Sequence, residues 1–536
     1  MKKLLIIFIT FMIFSFIGCE QFVPTTTNNQ ATETTIDLTT TEDSYPTTIN
    51  EVTTDDSTEN TSSTTEEATS IETTNETTTT EETTTEETTT EETTTEETTT
   101  VETTTEETTV DEVFQPNDYS LIQDELDYVG IPSIGDVKLL VFAVDFPDNL
   151  ATDIDPSIED IDLAFNGNSN QLSFESVNSF YLKSSYGKLN LTADIFGYYT
   201  LSETSDYYQT ENELYYETDP DTGEYIYGED EVIPVESEII SELLAYYDST
   251  IDYNDYDSNN DGYIDGIYVI YNHPTDDSEL WWAYQSYYAY YEDTYDGLTP
   301  NYYTWASNEF IENENEDINA RTYIHETGHM LGLDDYYDYS SEDNYNSGGL
   351  GTFMMDYAIG DHDPFSKILL GWINPIVIDR NSSIDILPHL ENGDVLLIID
   401  EWNGTIFDEY LLITYYTPEG LNSHENNYIF TDSGIIIFHI SAEIGNGYDP
   451  NLAYYSIFNN NNTDTQDKLI KIIEADMDND IFNYELVENT DLFQVGDIFG
   501  DSIYEDYYWY DDTQVNITIN IISISDDLAT IDINFE

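Results

Sequence analysis

One short stretch of this sequence combines metal-binding and acid–base side chains at a spacing suited to chemistry. His325 is followed by Glu326 and then, after two residues, by His329, and the pattern continues to Gly332 and Asp335. Side chains four residues apart lie on one face of a helix, so both imidazoles can reach one metal ion. The glutamate stands where it can take a proton from water activated by that metal. The spacing predicts a zinc site, and the alternative is a surface helix with two solvated histidines.

The residues after the second histidine make the pattern more specific. Gly332 can adopt the left-handed backbone that ends a helix and turns the chain. Such a turn would bring Asp335 back toward the histidines as a third, oxygen ligand. Three protein ligands leave a fourth position for water, which is typical of catalytic rather than structural zinc.

A pair of methionines begins nineteen residues after Asp335. Zinc endopeptidases of the metzincin type place a methionine turn beneath the metal. Met355 fits that turn and Met354 is the alternative, while ordinary core packing would explain either residue without a metal. Tyr357 follows, and its hydroxyl could donate a hydrogen bond to the oxyanion formed during peptide hydrolysis. Structural packing of this tyrosine is an equally open interpretation.

A second motif places oxygen-bearing side chains at alternating positions. Asp257, Asn259, Asp261 and Asp265, with a glycine at the turn, match the first nine positions of an EF-hand-type calcium loop. Position twelve is Tyr268 rather than a glutamate, and a strand-like run follows instead of a helix. We therefore predict a structural calcium clip, and the alternative is a solvated acidic turn.

The N-terminus resembles the signal of bacterial lipoproteins. Two lysines precede an apolar run from Leu4 to Ile17, which is too short to span a bilayer comfortably. A glycine then precedes Cys19, the only cysteine of the chain. We expect residues 1–18 to be a lipoprotein signal peptide and Cys19 to carry the lipid. This predicts a location at the extracellular face of the bacterial cytoplasmic membrane, with shedding left open. In the alternative, an ordinary secretion signal, Cys19 is incidental.

Residues 19–115 are predicted to be a disordered stalk. Threonine and glutamate dominate them, and Glu-Glu-Thr-Thr-Thr repeats from Glu81 to about Thr109. Their few apolar residues cannot offset the entropy that folding would cost. The whole chain has a net charge of −102, from 10 basic and 112 acidic residues. Such acidity makes nucleic acid a poor partner and fits either a high-salt habitat or a calcium-rich extracellular setting.

The rest of the chain divides by its apolar pattern into two parts. Residues 116–376 mix the two types of secondary structure, which predicts an α+β catalytic domain. The strand-like runs of this part are 137–144, 189–195 and 266–271, and its helix-like runs are 173–185 and 323–331. Residues 377–536 contain only short β-type runs between turns, which predicts an all-β accessory domain of the sandwich or jelly-roll kind. These runs are 395–399, 410–415, 435–440, 469–473, 515–522 and 529–535.

Over roughly residues 117 to 536, the chain resembles the immune inhibitor A family of secreted bacterial zinc metalloproteases. The segments that carry the resemblance, besides the zinc pattern, are Phe146-Pro147-Asp148, Ser185-Tyr186-Gly187-Lys188, Asn260 to Asp265, Gly348-Gly349, Lys367 to Trp372, Gly434 to His439 and Ile473 to Asp476. The resemblance implies a metzincin-like protease domain. It also implies that His325, His329 and Asp335 bind zinc and that Glu326 is the general base.

These observations together predict a cell-surface zinc metalloendopeptidase that acts on extracellular proteins or peptides. Contact with a membrane is expected only through the lipid on Cys19. One alternative is a non-catalytic adhesin or binding protein on a protease scaffold, and the intact Glu326 argues against it, because a binding module needs no general base. Another is a zinc hydrolase, such as an amidase, that acts on glycoprotein or cell-wall substrates.

Overall fold

The computed structural model describes residues 130–151, 156–215, 234–276, 280–290, 293–311, 317–338, 348–423, 429–445, 457–463, 467–481, 486–500, 504 and 507–536. The predicted signal peptide, the predicted stalk and Cys19 lie outside these residues. Across the described ranges, no helix is both long enough and apolar enough to cross a bilayer.

Strands and short helices alternate along the described chain. The strands are β1 (Gly135–Asp145), β2 (Leu189–Thr200), β3 (Tyr263–Ile264), β4 (Ile267–Tyr271), β5 (Tyr284–Tyr287), β6 (Thr299–Pro300), β7 (Tyr302–Ser307), β8 (Ile376–Ile378), β9 (Ser382–Ile386), β10 (Leu396–Ile398), β11 (Glu409–Tyr416), β12 (Gly434–Ser441), β13 (Ile470–Ile473), β14 (Ile498–Phe499), β15 (Ile517–Ser525) and β16 (Leu528–Phe535). The α-helices are α1 (Ile158–Asn166), α2 (Val177–Ser184), α3 (Ser205–Tyr215), α4 (Val235–Tyr247), α5 (Arg321–Met330), α6 (Met354–Tyr357), α7 (Pro364–Leu369) and α8 (His389–Asn392). Turns of 3₁₀-helix lie at Ser169–Gln171, Tyr253–Tyr256, Asn308–Ile311, Gly420–Asn422 and Asn489–Asp491.

Each strand or helix predicted from the apolar pattern overlaps an observed element of the same type, with different ends. Strand β2 extends to Thr200, five residues past its predicted end at 195, and α2 begins at Val177 rather than at residue 173. Ser176 caps this helix, because its hydroxyl accepts a hydrogen bond from the Ser179 amide. A residue at the N-cap position has extended rather than helical backbone, so the helix begins only after Ser176. Phe174 therefore lies before the helix, although its apolar side chain matches the helical spacing.

The first sheet has the strand order β2-β1-β4-β7-β5, in which only β5 is antiparallel to its neighbour. Both faces of this sheet are buried, which explains the unbroken apolar run in β1. Val141 and Tyr268 belong to the hydrophobic cluster on the face where α2 and α5 pack. Phe142 and Val269 belong to the cluster on the opposite face, with the apolar side chains of α4.

Two further sheets lie in the second half of the chain. Their strand orders are β13-β12-β11-β10-β8 and β14-β15-β16-β9. Leu411 and Ile437 from the first of them share a buried cluster with Ile519 and Ile531 from the second, so the two sheets pack face to face.

The five-stranded sheet of the second half also has two buried faces. Because side chains alternate along a strand, Leu412 and Phe438 point away from the sandwich core and join the cluster around α5. The hydrophobic core beneath the candidate site is therefore built from residues on both sides of position 376. The metzincin-like character of the first part stays a prediction.

Candidate metal centre

Helix α5 presents His325, Glu326 and His329, and its C-terminal end determines where the chain goes next. The Leu333 amide donates to the Gly328 carbonyl over 3.0 Å, and the Gly332 amide donates to the His329 carbonyl over 2.9 Å. This pair of bonds is a Schellman motif, which needs a left-handed residue after the helix. Gly332 supplies that residue with φ of 96°, so the helix end predicted from the sequence is confirmed.

The turn brings the carboxylate of Asp335 to both histidines. Its Oδ1 atom lies 2.8 Å from His325 Nε2 and 3.2 Å from His329 Nε2. Tetrahedral zinc ligands with bonds of about 2.0–2.1 Å lie about 3.3 Å apart along each edge. Both distances from Asp335 Oδ1 are therefore within about 0.5 Å of that edge, and these residues form one of two convergent groups of potential metal ligands in the described chain.

The other ring nitrogen of each histidine is held by the backbone. His325 Nδ1 lies 2.7 Å from the Met354 carbonyl oxygen, and His329 Nδ1 lies 2.8 Å from the Leu333 carbonyl oxygen. A carbonyl can only accept, so each Nδ1 carries a proton and donates it. The neutral form of each ring then has a lone pair at Nε2 that faces Asp335. Second hydrogen bonds of this kind orient metal-ligating histidines in proteins.

Glu326 lies beside the three converging groups with only 3% of its surface exposed. Its Oε2 atom is buried and has no hydrogen-bond partner among the residues that the structure describes. Burial raises the pKa of this carboxyl, although the positive charges of His329 and His325 oppose the rise and Asp335 adds to it. A buried carboxylate oxygen without a partner is costly unless a bound molecule supplies one.

The charges of the histidines and the aspartate support each other. Burial raises the pKa of Asp335, but the charge of His329 and the hydrogen bonds from both imidazoles outweigh burial and leave that pKa lowered. Burial lowers the pKa of His329, and Asp335 reverses the direction so that the pKa is raised. An anionic oxygen facing two imidazole nitrogens is a donor set that suits zinc.

The two methionines of α6 contact the helix in different ways. The Met354 carbonyl accepts the hydrogen bond from His325 already described. The side chain of Met355 packs against Gly328, so closely that a Cβ atom added to this glycine would lie 2.4 Å from Met355 Sδ. The Met355 carbonyl also accepts a hydrogen bond from the Tyr336 amide over 2.8 Å. This turn therefore contacts both helix α5 and the segment that carries Asp335.

Tyr357 is the last residue of α6 and is half-buried against the same hydrophobic cluster. Its catalytic role stays a prediction.

Phe353, which precedes α6, has φ of 79°, a backbone conformation that is rare for a residue with a side chain. Such conformations persist only where the surrounding contacts enforce them.

A buried polar group, His362, lies next to the helix although no sequence motif of the site includes it. His362 is 1% exposed, and neither ring nitrogen has a hydrogen-bond partner among the described residues. Its Cε1 atom would lie 3.6 Å from a Cβ on Gly328. Burial lowers its pKa well below the usual value, and the neighbouring charge of Lys367 lowers it further. The sequence gives no periodic or spacing signal for this contact, which depends on a long-range turn.

The predicted calcium loop has a different geometry. The carboxylates of Asp257, Asp261 and Asp265 are not among the convergent ligand groups of the described residues. They accept hydrogen bonds from the amides of their own loop instead, such as Asp261 N to Asp257 Oδ1 at 3.0 Å and Ser258 N to Asp265 Oδ2 at 2.8 Å. Burial raises the pKa of Asp265 to about 7, and the charges of Asp261 and Asp257 contribute. Asn259 donates to Asp261 over 2.9 Å. Calcium binding by this loop stays a prediction.

No model of a known protein family matches the chain, and no curated protein matches it significantly.

Proposed function

We propose that this chain is a zinc metalloendopeptidase in which Glu326 is the general base. The main support is the arrangement around α5: three ligand atoms converge beside a buried carboxylate oxygen that has no partner among the described residues. The motif-level resemblance to the immune inhibitor A family, stated from the sequence, points the same way. A metzincin-like fold for residues 116–376 is part of this proposal.

The residues present fit zinc by their chemistry. His325, His329 and Asp335 supply two nitrogens and one oxygen, the kind of three-ligand set found in catalytic zinc sites. When bound, the ion supplies Lewis acidity that polarises a carbonyl and lowers the pKa of water. The Met354 and Leu333 carbonyls orient both rings so that their Nε2 atoms face Asp335, and the three residues together would hold the ion.

Glu326 supplies the proton transfers. Its Oε2 atom can accept a proton from the water that attacks the scissile peptide bond and can return that proton to the leaving amine. Burial favours the neutral form of this carboxyl, as its raised pKa indicates. A carboxyl whose two protonation states are closer in free energy near neutral pH is better suited to carry a proton in both directions.

The rival function is a non-catalytic binding protein on the same scaffold. Such a protein would gain nothing from a carboxylate oxygen buried without a partner, and each such atom costs roughly 1–3 kcal/mol. Glu326 has such an atom at the one place where hydrolysis needs a base. We therefore favour the enzyme, with protein or peptide substrates.

The deciding experiment compares Glu326→Gln, His329→Ala and a matched control, Glu159→Gln, which changes an exposed glutamate of α1. Each purified protein is assayed for bound zinc by mass spectrometry and for hydrolysis by profiling new N-termini in a denatured protein mixture. Glu326→Gln should keep its zinc and lose about 10²–10⁴-fold in rate, because only the base is removed. His329→Ala should lose zinc and activity, and the control should keep both.

Near-normal turnover by Glu326→Gln would contradict the mechanism. A wild-type protein that holds zinc but cleaves no peptide bond in the mixture would favour the binding protein or a hydrolase for other bonds. Release of muramyl or amide products from cell-wall material would identify the latter.

We also propose that the enzyme is held at the extracellular face of the cytoplasmic membrane by a lipid on Cys19. The support is the Gly-Cys pair that ends the apolar N-terminal run. Wild-type protein from a bacterial host should partition into detergent, and Cys19→Ser protein should remain in the aqueous phase. An unmodified Cys19 in the mature wild-type protein, seen by mass spectrometry, would contradict this proposal.

A further inference from the structure

A second group of carboxylates lies where β13 leaves its sheet, in the second half of the chain. Glu474, Asp478, Asp480 and Asp491 each bring one oxygen to within 4.8 Å of the oxygens of the other three. Like charges at such distances repel one another unless protons or a cation neutralise them. Acidic clusters on solvated surfaces relieve this repulsion through water, so the burial of two members of this group is decisive.

Asp491 is the member of the group that is shielded from solvent. Only 1% of its surface is exposed. Its Oδ2 atom accepts a hydrogen bond from the Glu488 amide over 2.7 Å. Its Oδ1 atom is buried and has no hydrogen-bond partner within the described ranges. Oδ1 is therefore the oxygen left for a ligand, and a buried carboxylate oxygen is seldom left without one.

Glu474 is the other buried member, with 4% of its surface exposed. Its Oε2 atom accepts a hydrogen bond from the Asp480 amide over 3.0 Å. Burial raises the pKa of Glu474 to about 8 and that of Asp491 to about 7, with the charges of neighbouring carboxylates contributing in both cases. Burial and mutual repulsion therefore both favour neutralisation of this group, by protons or by a cation.

We infer that Glu474, Asp478, Asp480 and Asp491 bind one divalent cation of the calcium type. All four donors are carboxylate oxygens, which suit hard cations better than zinc. Oxygens on opposite sides of a calcium ion lie about 4.6–5.2 Å apart, and those around magnesium about 4.0–4.2 Å apart. The four oxygens all lie within 4.8 Å of one another, a span that a calcium shell accommodates, and calcium also tolerates the irregular geometry that magnesium does not.

The cation would join two chain segments that pack near Gly351, which shortly precedes helix α6. Ile481 and Val487 lie between the ligands along the chain and are buried. A Cβ atom added to Gly351 would lie 3.1 Å from Val487 Cγ1 and 3.2 Å from Ile481 Cγ2. Gly351 precedes Met355 by four residues. An ion that fixes the loop therefore also supports the segment that packs beneath helix α5.

The test uses the full chain and calcium alone as the probe. Bound calcium is counted by mass spectrometry after equilibrium dialysis, and affinity is measured by calorimetry. The variants are Asp491→Asn and Asp478→Asn, of which the second changes an exposed residue and should fold normally. Asp526→Asn, at the exposed turn between β15 and β16, is the matched control for the loss of one charge. Asp261→Asn separates this site from the loop at 257–265.

We expect Asp491→Asn and Asp478→Asn to weaken one calcium site by at least about tenfold, because the number of charged ligands sets the affinity. Asp526→Asn and Asp261→Asn should leave that site unchanged. The melting temperature gives a second readout, in which the effect of Asp491→Asn should differ with and without calcium. Calcium should raise it in the wild type. Without calcium, Asp491→Asn should melt at the same temperature as the wild type or higher, because the substitution relieves repulsion.

Two results would overturn the inference. The first is an equal number and affinity of calcium ions in the wild type, Asp491→Asn and Asp478→Asn. The second is a lower melting temperature of Asp491→Asn without calcium and no added loss with it, which would make the carboxylate a structural hydrogen-bonding group only. Magnesium that binds as tightly as calcium would also overturn the assignment of the ion. None of these measurements depends on peptide hydrolysis.

Discussion

The packing of Met355 against helix α5 leads to a quantitative prediction for Gly328→Ala. In the interior of an exposed helix, alanine is more favourable than glycine by about 0.8–1.0 kcal/mol. Here the new methyl group would lie 2.4 Å from Met355 Sδ and 3.0 Å from its Cε atom, where contacts of about 3.5–4.0 Å are optimal. Overpacking of a buried site costs typically about 1–3 kcal/mol. The net effect should be a loss of stability of about 0–2 kcal/mol.

The same substitution should change sign when Met355 is shortened. Met355→Ala alone should cost about 2–5 kcal/mol, because it leaves a cavity in a fully buried place. In that background the alanine at 328 meets no sulfur atom and should stabilise the protein by about 1 kcal/mol. The coupling energy of the double-mutant cycle should therefore be about −1 to −3 kcal/mol, equal to the overpacking cost.

The assay is urea unfolding followed by tryptophan fluorescence, with a chelator present so that metal affinity does not enter. A control cycle of Gly328→Ala with Met354→Ala should be additive within about 0.5 kcal/mol, because the atoms nearest the added methyl belong to Met355 and His362. If the cycle with Met355 were equally additive, the methionine would not lie against the helix, and the argument for a methionine turn beneath the metal would fail.

Three further substitutions test the surroundings of the site. Below pH 6.5 the unfolded chain binds a proton on His362 that the folded chain excludes, so the free energy of unfolding decreases by up to about 1.4 kcal/mol for each unit by which the pH is lowered. His362→Phe should remove that contribution from unfolding curves at pH 5 and 6. An unchanged dependence of the unfolding free energy on pH would contradict this prediction. Gly332→Ala, at φ of 96°, should cost about 1–2 kcal/mol and weaken zinc binding, because Asp335 is displaced; unchanged zinc affinity in a competition titration would argue against the ligand turn. Asp361→Asn leaves the fully buried ammonium of Lys367 without its carboxylate, so the free energy of unfolding in denaturant should decrease by about 3–5 kcal/mol. Adding Lys367→Met should recover most of this loss. A loss below about 1 kcal/mol would show that the pair is solvated.

Local features of the sequence were enough to predict the helix and the convergence of its two histidines with Asp335. The spacing of His325, His329 and Asp335 depends on helical geometry and on the backbone freedom of Gly332, and both act within eleven residues. The strands were equally accessible, because burial on one or two faces leaves a period-two or continuous apolar pattern in the chain itself. Element ends were less accurate, since they depend on caps such as Ser176.

The loop at residues 257–265 shows what a local motif leaves open. Its residue types match a known pattern, yet their oxygens accept hydrogen bonds from the loop's own amides. A motif specifies which side chains are available, and the backbone path decides where they point. The opposite case is the group at Glu474 and Asp491, whose members are seventeen residues apart and follow no familiar spacing.

The sequence by itself determined the side chains that are available for chemistry: two imidazoles, a glutamate beside the first of them, an aspartate and a turn that brings it to the imidazoles. Only the tertiary structure decided how that chemistry is held. Three contacts hold it: the Met354 carbonyl with His325, the Met355 sulfur with Gly328, and the ring of His362 near Gly328. Each joins residues about thirty positions apart. Such contacts arise because whole elements pack to bury apolar surface, and no local periodicity in the chain records which side chains will then meet.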